Sequence, residues 1–132
     1  MIGTDHLQTL AVVRTPGEAA ELAAEALRAV NRLTLGPPST GAPGWEDVSD
    51  LYRVIGELHV LAERLPQALG QLARHLEHPA GDCRYRSDSS TCDPPEALVA
   101  TAAGALAVAQ DVAADLASDL GAAQSAVAHL SG

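Results

Sequence analysis

Four side chains in this sequence have the chemistry of metal ligands: His75, His78, Cys83 and Cys92. His75 and His78 are three residues apart, so on a helix they occupy neighbouring faces. The two cysteines follow in the next stretch of chain. Two imidazoles and two thiolates are a donor set that tetrahedral zinc accepts. The spacing, H-x2-H-x4-C-x8-C, matches no established zinc signature. Two plainer readings therefore stand ahead of zinc: free thiols, and a Cys83–Cys92 disulfide closing a short loop. The histidines alone are explained by a helix C-terminus, which favours positive charge. No other cofactor is expected.

The remaining reactive side chains carry less. Asp111, Asp115 and Asp119 repeat every four residues. Carboxylates in that pattern, without further oxygen donors, make a poor calcium or magnesium site and read as a solvated face. His59 has Glu57 and Glu63 nearby, but no E-x-x-H motif, so the di-iron carboxylate pattern is missing. Trp45 reads as an anchor for the loop before a helix rather than as an exposed partner hot spot. Arg84-Tyr85-Arg86 is a small basic-aromatic spot that an exposed loop tip explains equally well. There is no phosphate-binding glycine loop after a strand and no nucleophile elbow. No catalytic residue is assigned, and the expectation is a non-enzyme.

The composition narrows the function classes. The chain has 132 residues and a formal net charge of −9, with every basic residue an arginine. That balance argues against nucleic acid and against anionic membrane surfaces. No apolar run approaches the roughly 20 residues a membrane span needs, and the N-terminus lacks the form of a signal peptide. The expected location is cytoplasmic. Hydrophobic residues make up 47 % of the chain, yet there is no phenylalanine and only one tryptophan. Burial must rest on Leu, Val and Ala, and alanine contributes little area.

The elements that would position these side chains are helices, and one domain over 1–132 is expected. Breaker-rich loops at Gly36–Gly44 and Pro79–Pro95 separate three segments. The first breaks near Pro16: a short helix over about Asp5 to Arg14 precedes a longer one over about Pro16 to Leu35. Thr15 caps the longer helix and Glu18 completes a capping box. In the second segment Val48, Leu51, Ile55, Leu58, Ala62, Leu65, Leu69, Leu72 and Leu76 alternate by threes and fours, a sustained heptad seam. The seam keeps phase across Pro66, which predicts a helix kinked at Pro66 rather than a loop. In the third segment Leu98, Ala102, Ala105, Ala109, Val112 and Leu116 follow a heptad. A four-residue stutter then leads to Leu120, Ala123, Val127 and Leu130. The predicted fold class is all-α, an antiparallel bundle of these three segments.

Tyr52-Arg53-Val54-Ile55-Gly56-Glu57-Leu58 and Arg64-Leu65-Pro66-Gln67-Ala68-Leu69-Gly70-Gln71-Leu72 resemble a segment of small uncharacterised actinobacterial helical proteins. Richness in Ala and Arg without Lys is consistent with such a genome. The resemblance covers about a quarter of the chain, implies a helix and transfers no activity. Secreted W-x-G helical hairpins differ, because Glu46 and Asp47 follow Trp45.

The function expected from these residues is a non-catalytic helical interaction or regulatory protein. It would self-associate or dock a protein partner through the apolar faces of the second and third segments. A metal- or redox-responsive regulator built on His75, His78, Cys83 and Cys92 is the alternative, followed by a bundle holding an apolar small molecule.

Overall fold

The computed structural model describes residues 12–39, 41–78, 85 and 95–131. Three helices account for most of them: α1 (Pro16–Leu33), α2 (Val48–Glu77) and α3 (Pro95–Val127). No strand occurs among the described residues, and the architecture is an all-α helical bundle. The chain divides into two compact units, Met1–Asp50 and Leu51–Gly132.

In the first unit, the start of α1 is a capping arrangement. Thr15 is extended, and its Oγ1 accepts from the Glu18 N–H at 3.1 Å. Glu18 returns a carboxylate oxygen to the Arg14 N–H at 3.2 Å, one residue before the usual capping-box donor. Pro16 follows at the first helical position, where its missing N–H costs nothing. Val12, Val13 and Arg14 are not helical, so the short helix expected to reach Arg14 does not extend that far; most of it lies outside the described residues. α1 also ends earlier than the sequence pattern suggests. The hydroxyl and the N–H of Thr34 both bond the Val30 carbonyl and close the helix there. No residue of α1 is buried.

The loop after α1 is organised by Trp45. Its indole N–H donates to the Gly36 carbonyl at 2.7 Å, and the residue is only 8 % exposed. The Ser39 N–H donates to the Trp45 carbonyl, and the Trp45 N–H to that of Ala42. Gly41 and Gly44 take positive φ angles, 92° and 72°, that side chains with a Cβ rarely adopt. The anchoring role read from the sequence is therefore what Trp45 performs.

The second unit is a hairpin of α2 and α3. α2 runs unbroken through Pro66. Proline has no N–H to offer Ala62 four residues earlier, so that carbonyl loses its helical bond while the Ala62 side chain is fully buried. Gly56 lies against Gln124, His59 against Gly121, and Gly70 against Gln110. Each step forward along α2 is matched by an equal step backward along α3, so the two helices are antiparallel and in one register throughout.

That register corrects the inward face of α3. Its buried residues are Ala103, Ala113 and Ala117. With half-buried Leu106, Gln110, Leu120 and Gln124 they form an unbroken heptad stripe with no stutter. Up to Leu116 the stripe expected from the sequence is displaced by one residue, with Val112 58 % exposed and Leu116 44 %, whereas Leu120 and Val127 beyond the expected stutter do fall on the inward stripe. α2 shows the same displacement near its end, where Leu72 is 53 % exposed and Ala73 is buried. Large side chains mark the predicted stripes, whereas the helices approach through their small ones.

α3 is also apolar on nearly all sides, and by length and composition it would suffice to cross a membrane, with a mean hydropathy of 1.6 in its most apolar stretch. Alanine supplies that value. The expectation that no apolar run nears a membrane span overlooked it.

Candidate functional site

Two of the four candidate ligands can be placed. His75 sits in the last turn of α2 and His78 just beyond the helix, and both are exposed. The His78 N–H bonds the Arg74 carbonyl at 2.9 Å, continuing the helical pattern for one more residue. Cys83 and Cys92 lie outside the described residues, as do Arg84 and Arg86. Among the described residues, no three His, Cys, Asp or Glu side chains gather closely enough to hold a metal ion.

The Tyr85 hydroxyl donates to the His75 carbonyl at 3.0 Å. Beside it is an open cleft of about 490 Å³, lined by Leu76, His78, Tyr85, Glu96 and Val99 among others. It lies between the end of α2 and the start of α3, and its walls are mainly apolar with a few polar tips.

The other singled-out groups are dispersed. His59 is half-buried, with Nε2 3.6 Å from a Glu63 carboxylate oxygen one turn on. Its ring lies over Gly121, where a Cβ would come within 3.2 Å of Nε2. Asp111, Asp115 and Asp119 are exposed along α3. At the start of α2, Asp47 acts as a cap. The Ser49 hydroxyl and the N–H groups of Asp50 and Ser49 hydrogen-bond its carboxylate and hold it below its ordinary pKa. Asp50 reciprocates by accepting from the Glu46 and Asp47 N–H groups. These contacts build a helix end and do not assemble a catalytic constellation.

Sequence reasoning missed the row of polar side chains seated on glycines. A Cβ added at Gly56 would fall 2.5 Å from Gln124 Nε2, and one at Gly70 would fall 2.9 Å from Gln110 Nε2. The signal was present as matched spacing. Gly56 and Gly70 are fourteen residues apart on α2, and Gln110 and Gln124 are fourteen apart on α3. Two heptads separate each pair, so both pairs face the same seam.

Three side chains, His59, Gln110 and Gln124, are directed at glycines of the facing helix along one side of the hairpin. The opposite side has a different character. On α2 it carries Leu51, Leu58, Leu65 and Leu72, and on α3 Ala102, Ala105, Ala109 and Val112, ending at Leu116. The next step of that α3 stripe is Asp119, where the apolar stretch ends.

No family model, no curated protein and no solved structure matches this chain.

Proposed function

We propose that this chain is a non-catalytic helical interaction protein that works by self-association or by docking a protein partner on the apolar side of the α2–α3 hairpin. The observation that supports it is the continuous apolar side formed by two helices, on which Leu72, Val112 and Leu116 are each about half exposed. An apolar patch of that extent, rimmed by polar residues, marks interaction surfaces in soluble proteins. The acidic stripe Asp111, Asp115 and Asp119 borders it on α3 and keeps the remainder of that helix solvated.

The test combines size with recovery. Purified chain is sized by light scattering at high micromolar concentration, and tagged chain is used to recover partners from its own cells. Self-association, or a stoichiometric partner lost on substitution of Val112 and Leu116 by arginine, is the expected result. A monomer that recovers no such partner overturns the reading.

A further inference from the structure

We draw no further inference here: the strongest candidate, the mainly apolar cleft between the end of α2 and the start of α3, is bridged in sequence by residues 79–94, most of which lie outside the described residues, so nothing in the structure shows what fills it.

Discussion

Gly104 and Gly56 are both mid-helix glycines, and they answer to different forces. Nothing lies within 4 Å of a Cβ added at Gly104, and its φ is negative. Gly104→Ala therefore gains helix propensity alone and is expected to stabilise the fold by about 0.8–1 kcal/mol. At Gly56 the same gain is opposed, because the new methyl meets the amide of Gln124. The obstacle is the tip of a flexible side chain, so Gln124 turns aside rather than the helices separating. Gly56→Ala is expected to fall short of the Gly104→Ala gain, and adding Gln124→Ala should recover part of the difference. Urea melts of the single and double variants check this. Equal stabilisation at both glycines would mean that the contact carries no energy. None of the site residues sought first, His75, His78, Cys83 and Cys92, leads to this contact. Those residues are recognised by side chains that coordinate or react, and a glycine contributes here by having no side chain.

At the scale of the helix, the sequence is legible where large and polar residues alternate and fails where alanine dominates. Thr15, Pro16 and Glu18 are read correctly because each has a distinct role at a helix start. On α2 the buried Ala62 and the half-buried Ile55 and Leu69 fall on the expected seam, whereas Leu51, Leu58 and Leu65 share their heptad position with the exposed Leu72 and flank it. On α3 nearly every position is apolar, so any stripe fits a heptad. The choice then fell on the largest side chains, whereas close approach selects the smallest. The α2 start permits a further prediction. Asp47 is a carboxylate whose folded pKa is depressed by hydrogen bonds to Ser49 and Asp50. Its contribution is fully present above the ordinary value of 3.8 and is lost as pH falls through the lower folded value. Asp47→Asn keeps a good N-cap residue without the titration. Thermal melts from neutral pH downward should show the variant losing less stability than wild type on the acid side. Parallel losses in the two proteins would mean that Asp47 does not couple to folding.

For the whole molecule, charge and association act together. Each copy carries a formal charge of −9, while the side proposed for docking is mainly apolar. Two copies that self-associate as proposed would repel at long range and attract only on contact. Salt screens the first effect, with a Debye length of about 10 Å at 0.1 M, and leaves the second in place. Self-association through that side is expected to tighten as ionic strength rises from low to physiological values, read by sedimentation or light scattering. An association that weakened with salt would mean that ion pairs hold the copies together.

The glycine-seated glutamines have a mechanical consequence. Gln110 and Gln124 stand two heptads apart, opposite Gly70 and Gly56 at the same interval. If α3 slid along α2 by one heptad, both amides would leave their recesses and meet positions that already hold a side chain. Only a displacement of two heptads, about 21 Å, brings a glutamine back over a glycine, and then only one of the two. The hairpin thus resists shear like a key with two teeth: small slips are opposed at both points, and the next stop is too distant for thermal sliding to reach.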